Sequence, residues 1–357
     1  MSKHFGLILA GGRGTRFWPR SRKSHSKQVL NVVGERSLIQ ATVDRLRPLV
    51  PPERLWILTN DHLRDEIVRQ LPEIPEAQIL AEPAQRNTAA AIGLAAHILH
   101  SVEPDAAMGV FPSDHVIGNP ARFLELVDAA YRSADAGGMT VLGIHPRWPE
   151  TGYGYIEFPE DVRKGAIDPV PVRKFHEKPK EDLARQYVDA GHFYWNAGMF
   201  FWRADVILDE LRQHLPVTAG LIDSLPAFRD PAFAGRLKET FPKAENISID
   251  YAVIERSPKV TGIACDEIGW SDLGSWNAVW ELLDHDGEGN SAPEDAILYQ
   301  SQGNYVSVPG KTVALVGVRD LVIVETADAL LIADRESAQK VGEVVKLLEK
   351  QGREDLL

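Results

Sequence analysis

The chain has 357 residues, and its 44% hydrophobic and 25% charged residues are ordinary for a folded globular protein rather than a disordered one. Its net charge of −12 argues against a nucleic-acid partner, because sequence-independent binding needs a basic face. No apolar run approaches the length that crosses a bilayer, so we expect no membrane partner. The single cysteine, Cys265, excludes an intrachain disulfide and a multi-cysteine metal site, and we expect a cytoplasmic location.

Short apolar runs alternate with amphipathic stretches over the first 145 residues. The sequence predicts strands at 5–10, 55–58, 78–81, 108–111 and 140–144, and helices at 37–49, 88–99 and 121–136, with Asn87 as an N-cap. Strand–helix–strand alternation at this spacing predicts an α/β fold, a Rossmann-like and mainly parallel sheet. Ligands of such sheets bind beyond the carboxyl ends of the strands.

The second half of the chain is less regular, and a polar stretch at 284–290 marks a boundary. We therefore predict a catalytic domain over residues 1–285, with further helices at 181–190, 205–214 and 275–283, and a small β domain over 286–357. The latter would hold short strands at 296–299, 305–308, 312–316, 321–324 and 329–332, followed by a helix at 337–349. The strands fit a β-helix fragment or an ordinary β meander.

Positive charge is concentrated near the start of the chain. Seven cations precede the first acidic residue, Glu35, and they form a segment that we call the basic island: Lys3, Arg13, Arg16, Arg20, Arg22, Lys23 and Lys27. A solvated basic loop would explain an average charge run. Here, however, the cations are interleaved with glycines directly after an apolar strand, which favours an anion site.

The glycines of this segment form a loop directly after the first strand. Gly11, Gly12 and Gly14 lack a Cβ, so backbone N–H groups can closely approach a polyphosphate. Arg13 and Arg16 can add forked donors to phosphate oxygens. A dinucleotide fingerprint starting at Gly12 would need glycine where Phe17 stands, and the Gly-Lys-Ser/Thr of a P-loop is absent.

Eight segments, taken in order, resemble one family. They are Gly11-Gly-Arg-Gly-Thr-Arg-Phe-Trp-Pro-Arg-Ser-Arg22 with Lys27-Gln28, Glu82-Pro-Ala-Gln-Arg-Asn-Thr88, Phe111-Pro-Ser-Asp-His115, Thr151-Gly-Tyr-Gly-Tyr155, Phe175-His-Glu-Lys-Pro179, Trp195-Asn-Ala-Gly-Met199, Ile249-Asp-Tyr251 and Trp270-Ser-Asp-Leu-Gly-Ser-Trp276. The chain resembles the sugar-nucleotide pyrophosphorylases, and within them the mannose-1-phosphate guanylyltransferase branch. The resemblance implies a GT-A-like nucleotidyltransferase domain that joins GTP to mannose 1-phosphate with Mg²⁺ as cofactor.

The resemblance also implies roles for individual residues. Arg16, Lys27 and Asp114 would be catalytic, and Asp114 and Asp272 would hold Mg²⁺. The nucleotide would be bound by Ala10, Gly11, Gly12, Arg13, Gly14, Thr15, Arg16, Glu82, Asn87 and Thr88, and the sugar phosphate by Gly152, Tyr153, Glu177, Lys178, Asn196 and Gly198. From the residues alone, Asp114 could equally be a turn aspartate, Asp272 a helix cap, and Glu177-Lys178 a surface ion pair.

The chemistry of guanine suggests a reader for the base. A carboxylate can accept hydrogen bonds from both N1–H and the 2-amino group, which uracil, thymine and adenine do not offer together. We predict that Glu82 does so; the alternative is an ion pair with Arg86.

Other functions stay open on the sequence. A glucose-1-phosphate thymidylyl- or uridylyltransferase would share the loop, and a catalytically silent regulatory homologue would share the fold. An NAD-dependent dehydrogenase fits less well, because Thr59-Asn60 stand where its acidic residue is expected. We also consider a homodimer, for which the C-terminal strands and helix could supply the interface.

Overall fold

The computed structural model describes residues 3–357 and centres on a ten-stranded sheet. Strands before the boundary are β1 (His4–Leu9), β2 (Leu55–Thr59), β3 (Ile79–Ala81), β4 (Ala107–Pro112), β5 (Val116–Ile117), β6 (Met139–Ile144), β7 (Gly154–Glu157), β8 (Val170–Pro171), β9 (Lys174–Glu177), β10 (Phe193–Arg203), β11 (Val260–Cys265) and β12 (Trp270–Ser271). The helices are α1 (Leu38–Leu46), α2 (Asp61–Gln70), α3 (Asn87–Val102), α4 (Pro120–Asp135), α5 (Glu181–Ala190), α6 (Ala204–His214), α7 (Pro216–Asp223), α8 (Phe233–Thr240), α9 (Trp276–Leu282) and α10 (Val341–Lys350).

The sheet is mainly parallel, as predicted. Its order is β3-β2-β1-β4-β10-β6-β11-β8, and β7 and β9 extend it from β10. Strands β1 to β4 run in one direction, and β6 pairs with β11 in parallel. Strand β10 is inserted between β4 and β6 and is antiparallel to both. The carboxyl ends of β1 and β4 therefore meet at one edge, where the predicted phosphate loop begins.

Helices cover both faces of the sheet and create two apolar cores. Helix α3 lies in one core, and its small residues let neighbours approach: a Cβ at Gly93 would come within 2.5 Å of Ile222 on α7. On the opposite face, the hydroxyl of Tyr131 on α4 donates to the carbonyl of Phe5 at 2.8 Å. This packing holds β1 rigidly, and with it the loop that follows.

Helix α3 begins one residue earlier than predicted, at Asn87 rather than Thr88. Asn87 adopts a left-handed conformation with φ of 62°. Its Oδ1 accepts from the Thr88 N–H at 2.9 Å, so the side chain still satisfies one of the unpaired N–H groups at the helix start. The prediction of Asn87 as the N-cap is therefore wrong: Arg86 is the N-cap and its side chain makes no capping bond, while Asn87 is the first helical residue.

The C-terminal unit is a coil of short strands: β13 (Ile297–Tyr299), β14 (Tyr305–Ser307), β15 (Ala314–Val316), β16 (Leu321–Glu325) and β17 (Leu330–Asp334). Strand β13 pairs in parallel with β15, and β14 with β16. Asn304 donates from Nδ2 to Asn290 Oδ1 at 2.8 Å and accepts from the Leu321 N–H at 3.0 Å, which links successive turns. These two parallel pairings confirm a β-helix-like coil in place of a meander, and the coil ends in an antiparallel pair of β16 and β17.

The end of the chain differs from the single helix predicted at 337–349. A 3-10 segment, Arg335–Lys340, leads into α10 and breaks the helix in two. Asp334 caps the first segment by accepting from the Glu336 and Ser337 N–H groups. Over residues 3–357, none of the helices is long and apolar enough to cross a membrane.

Candidate active site

Side chains from outside the phosphate loop hold it in place by donating hydrogen bonds to its carbonyl groups. The Ala10 carbonyl accepts from Gln28 Nε2 at 2.8 Å and from the Thr59 hydroxyl at 2.9 Å, and Gln28 Nε2 also donates to the Gly12 carbonyl at 3.0 Å. Within the described residues, the N–H groups of residues 11–14 donate to no protein acceptor. These donors are therefore available to an anion, as a phosphate nest requires.

Gly14 lets the loop fold directly onto Lys27. Its φ is 59°, and a Cβ there would lie 2.6 Å from Lys27 Cβ and 2.9 Å from the Lys27 nitrogen. Such contacts are too short for any side chain, so this position requires glycine on both conformational and steric grounds. The glycine thereby sets the distance between the loop and the buried lysine.

Lys27 lies between the two predicted metal ligands. Its Nζ is 2.8 Å from Asp114 Oδ2 and donates to the Asp272 carbonyl at 2.7 Å. Burial, the largest single influence, raises the pKa of Asp114, but the Lys27 ammonium, His115 and a backbone hydrogen bond together bring the pKa below its ordinary value. Asp114 is therefore an ionised carboxylate that lies in the turn after β4 and pairs with a buried cation.

Asp272 does not cap a helix, which removes the alternative that the sequence left open. Helix α9 takes Ser275 as its N-cap, and Asp272 Oδ1 accepts from the Tyr153 hydroxyl at 2.7 Å. In the described part of the chain, no group of three His, Cys, Asp or Glu residues could hold a metal ion. Two carboxylates beside a phosphate site still fit Mg²⁺, because this ion commonly keeps several waters and binds substrate phosphates.

Next to Asp114, a cavity of about 560 Å³ opens beside the loop. Its lining includes Gly11, Gly12, Arg13, Asn87, Thr88 and Glu82. No Glu82–Arg86 ion pair forms among the described residues; Arg86 instead donates to the Pro242 carbonyl, and Glu82 Oε1 is buried without a partner. Burial raises the pKa of Glu82 to about 8. Glu82 thus lines the cavity, and one oxygen of its carboxyl group is buried without a partner.

Asn87 and Thr88 lie in this cavity, but the hydroxyl of Thr88 already has a partner. Thr88 Oγ1 accepts from the Ile249 N–H at 2.9 Å. Thr88 therefore attaches the segment around Ile249 to the start of α3, whichever contacts it makes with a ligand.

Much of the basic island contacts the C-terminal unit rather than the cavity. Arg13 Nη2 donates to Glu349 Oε1 at 2.6 Å, and Arg16 Nη1 donates to Gln339 Oε1 at 2.5 Å. The remaining cations of the island that pair with this unit are Arg22, with Asp328 at 3.0 Å, and Lys23, with Glu354 at 2.5 Å. Thr15 also faces α10, because a Cβ at Gly342 would lie 3.4 Å from its hydroxyl.

The predicted sugar-phosphate residues form a neighbouring cluster. The Lys178 N–H donates to the Tyr153 carbonyl at 3.2 Å, and the Lys178 ammonium pairs with the Glu177 carboxylate. Lys178 has a φ of 47°, which is uncommon outside glycine and concentrates at functional sites. Gly152 precedes Tyr153, and its N–H donates to Glu150 Oε1 at 2.8 Å. Tyr153 joins this cluster to Asp272.

Asn196 and Gly198 lie where β10 departs from regular pairing with β6. Gly198 has a φ of 66°, and its N–H donates to Asn196 Oδ1 at 3.0 Å. Asn196 Nδ2 donates to Asp250 Oδ1 at 2.8 Å. The amide is therefore oriented by contacts at both ends and keeps one N–H and one lone pair for a ligand.

Sequence reasoning missed two polar residues of this region. Gln28 supports the loop carbonyls, and Asp250 lies against the sugar-phosphate cluster. Both occur in the segments that carry the family resemblance, next to Lys27 and Ile249 respectively. That adjacency was the available signal, because their partners are far away in the sequence.

Family models match both parts of the chain. Residues 5–289 match the nucleotidyl transferase family, and residues 294–348 match the MannoseP isomerase/GMP-like beta-helix domain. Mannose-1-phosphate guanylyltransferase of Escherichia coli (strain K12) is 40% identical over 99% of this chain and 75% of its own length. Mannose-1-phosphate guanylyltransferase ManC of Salmonella typhimurium (strain LT2) matches at the same identity and coverage.

A solved structure shares the whole architecture. A crystal structure from Thermus thermophilus, described as mannose-1-phosphate geranyltransferase, superposes with a TM-score of 0.86 at 31% identity. The match covers 98% of this chain and 100% of that chain. It therefore includes both the large sheet and the C-terminal coil.

Proposed function

Since the chain belongs to the nucleotidyl transferase family, we propose that it transfers GMP from GTP to mannose 1-phosphate, giving GDP-mannose and pyrophosphate. One observation carries this proposal most directly. The free N–H groups of the loop, the buried Lys27 and the ionised Asp114 all meet at one edge of the sheet. The substrates follow from relatives named mannose-1-phosphate guanylyltransferase that match nearly the whole chain.

The reaction needs no protein nucleophile. An oxygen of the sugar phosphate attacks the α-phosphorus of GTP, and the bond from that phosphorus to the oxygen bridging to the β-phosphorus breaks. Pyrophosphate leaves with the electron pair. The protein must hold two mutually repelling polyanions in line and neutralise the charge between them.

Lys27 is the group best suited to neutralise that charge. It is buried, so its charge acts with little screening by water, and the loop glycine fixes its position. The loop N–H groups would hold the phosphates of GTP, and Arg13 and Arg16 would reach them by leaving Glu349 and Gln339. These roles match the donors that phosphoryl transfer requires.

Asp114 and Asp272 would hold Mg²⁺. Lys27 contacts the Asp114 carboxylate and the main-chain carbonyl of Asp272, and two carboxylate ligands would leave room in the coordination shell for phosphate oxygens and water. When bound, the ion would supply further positive charge to the phosphates. Tyr153 would orient Asp272 through its hydroxyl.

Glu82 would select guanine. Its buried carboxyl lacks a partner in the cavity, and two N–H donors of guanine would satisfy both oxygens. Asn87 and Thr88 would bind the nucleotide from the start of α3. Glu177 and Lys178, with Gly152, Tyr153, Asn196 and Gly198, would receive mannose 1-phosphate.

The test is pyrophosphate release measured for each pairing of GTP, UTP, dTTP and ATP with mannose or glucose 1-phosphate, with and without Mg²⁺. We expect the highest kcat/KM for GTP with mannose 1-phosphate, and loss of turnover without the ion. A preference for UTP or dTTP with glucose 1-phosphate would establish the thymidylyl- or uridylyltransferase instead. No turnover with any pair would support a silent homologue.

The proposal includes a homodimer formed through the C-terminal coil. Several large apolar side chains there are more than half exposed: Ile297, Tyr299, Val316, Leu330 and Ile332. A monomer rarely exposes such a set together. Light scattering of the intact chain should give twice the mass of one chain, and Ile332→Asp should give the mass of one chain with the pyrophosphate assay as a control for folding.

A further inference from the structure

Asp250 lies between the two halves of the site, although neither set of predicted residues includes it. It opens the single-turn π-helix Asp250–Ile254, which packs against β9. Single π-turns are rare and concentrate at functional sites. The preceding residue, Ile249, donates its N–H to Thr88 Oγ1, so the segment is fixed to the start of α3. The position of Asp250 therefore depends on residues of the predicted nucleotide site as well as on residues of the predicted sugar-phosphate site.

The Asn196 amide fixes the orientation of the Asp250 carboxyl group. Asn196 donates from Nδ2 to Asp250 Oδ1 at 2.8 Å, while its own Oδ1 accepts from the Gly198 N–H at 3.0 Å. These two bonds use one N–H and one lone pair of the amide and fix its orientation. Asn196 thus holds the carboxyl of Asp250 in place, and Asp250 keeps further capacity to accept hydrogen bonds from a ligand.

Asp250 lies near another carboxylate but is not paired with a cation. The only nearby cation of the cluster, Lys178, pairs with Glu177, and no cation forms an ion pair with Asp250 among residues 3–357. Burial and the Glu177 carboxylate raise the pKa of Asp250 to about 6, so it is mostly ionised at neutral pH. A buried carboxylate without a cation needs donors from elsewhere.

A sugar phosphate carries two kinds of group that suit this arrangement, an anionic phosphate and neutral ring hydroxyls. Its phosphate is attracted to Lys178 and repelled by two carboxylates, while its ring hydroxyls are neutral donors. The phosphate would therefore face Lys178, and the ring would face Glu177 and Asp250. The two carboxylates orient the ligand by excluding the reversed position, since that position would place phosphate against them.

We propose that Asp250 is a specificity-determining residue that accepts hydrogen bonds from ring hydroxyls of the sugar phosphate, with Asn196 as its positioning residue. This inference deepens the proposed function and rests on it. A site built to accept a hydroxyl discriminates strongly against ligands that leave it unpaired, and sugar epimers differ in where one hydroxyl points.

The test variant is Asp250→Asn, which keeps an oxygen for the Asn196 amide and removes the charge and one acceptor. We expect KM for mannose 1-phosphate to rise about 10- to 100-fold, the range for a lost hydrogen bond to a charged group. The ratio of kcat/KM for mannose over glucose 1-phosphate should fall, and KM for GTP should change less than about twofold. Glu239→Gln, an exposed change of equal charge on α8, where Glu239 pairs with Arg236, should alter none of these values.

Asn196→Ala tests the positioning role. Alone it should raise KM for mannose 1-phosphate, and combined with Asp250→Asn it should add little, because both changes act through one carboxyl group. Additive effects would overturn that role. An Asp250→Asn variant with unchanged sugar KM and epimer ratio, or with GTP KM raised equally, would overturn the inference. If the wild-type chain turns over no sugar 1-phosphate, the proposed function itself fails; if only the variant's behaviour disagrees, the inference alone fails.

Discussion

Lys27 places a buried positive charge, its ammonium group, at the candidate site. Its contacts with Asp114 and the Asp272 carbonyl hold it beside the loop, and Gly14 lets the loop approach. The surrounding protein is already arranged around a cation, so we expect that binding of phosphates there would need little reorganisation. Such preorganisation is the largest contribution that a protein can make to phosphoryl transfer.

Lys27→Met should therefore lower kcat about 10²- to 10³-fold, because it removes one preorganised donor and keeps the length of the side chain. The measurement is pyrophosphate release at saturating GTP and mannose 1-phosphate. Lys23→Met is the matched control, since Lys23 belongs to the same basic island but pairs with Glu354. A Lys27→Met enzyme within threefold of wild type would contradict the role.

Glu82 should make GTP binding depend on pH. Its pKa of about 8 in the free protein reflects burial, so the group is mainly protonated at pH 7. If the ionised form accepts the guanine donors, affinity should rise as pH increases, by up to about tenfold per unit below pH 8, and level off above it. Titration calorimetry with GTP between pH 6 and 9 measures this.

Glu82→Gln should weaken GTP binding and flatten that pH profile, because the amide does not titrate and can accept at only one atom. Discrimination for GTP over other triphosphates should fall as well. Unchanged selectivity, or a wild-type profile that falls with pH, would remove Glu82 as the reader of the base.

Helix α10 contacts a residue of the candidate site, which the sequence did not predict. The Glu349 carboxylate holds Arg13, which the sequence assigned to phosphate. The pair is half-exposed, so water and salt screen it and it contributes little to stability. We therefore expect that a triphosphate would displace Glu349 from Arg13 at small cost.

Glu349→Gln should lower KM for GTP about two- to fivefold at low salt, since Arg13 would no longer be shared with a carboxylate. The denaturation midpoint should stay nearly constant. Glu343→Gln is the control, because Glu343 lies on the same helix and pairs with Lys346. A higher KM for GTP would show instead that Glu349 positions Arg13 for binding.

Most periodic elements of the first 145 residues could be predicted because their apolar patterns are local. Helices α2, α7 and α8 were not predicted: α7, for example, is short, and its Ile222 packs where Gly93 leaves space, which is a tertiary contact. The antiparallel direction of β10 likewise depends on the connection before it and not on its own residues.

Some residues of the candidate site could be identified from the sequence, but the partners of others could not. Motifs identified Lys27, Asp114 and Asp272, and the fold brings them together. They could not reveal that Arg13, Arg16, Arg22 and Lys23 pair with residues more than 300 positions away. A charge run in a sequence gives the sign of the potential but not the partner that neutralises it.

Across the whole molecule, the two units share one apolar core. Trp276 packs against Phe17 with ring centroids 5.0 Å apart, and against Tyr305 of the coil at 5.8 Å. Trp276 Nε1 also donates to the Trp18 carbonyl at 3.1 Å. The coil thus supports the segment that follows the phosphate loop.

Tyr305→Ala should therefore destabilise the chain by about 3–5 kcal/mol, the usual range for removing a buried aromatic ring. It should also raise KM for GTP, because the base of the loop loses support. Urea denaturation and steady-state kinetics measure the two effects. Leu347→Ala removes an exposed apolar side chain and should leave both unchanged; normal GTP kinetics in Tyr305→Ala would separate the coil from the site.

The proposed function requires that a triphosphate bind at the loop after β1. A crystal structure of the chain soaked with GTP and Mg²⁺ tests this most directly. We expect phosphate oxygens within hydrogen-bond distance of the N–H groups of residues 11–14, with Lys27 and Asp114 beside the α-phosphate. A triphosphate bound elsewhere on the chain, with the loop free of phosphate, would contradict the account.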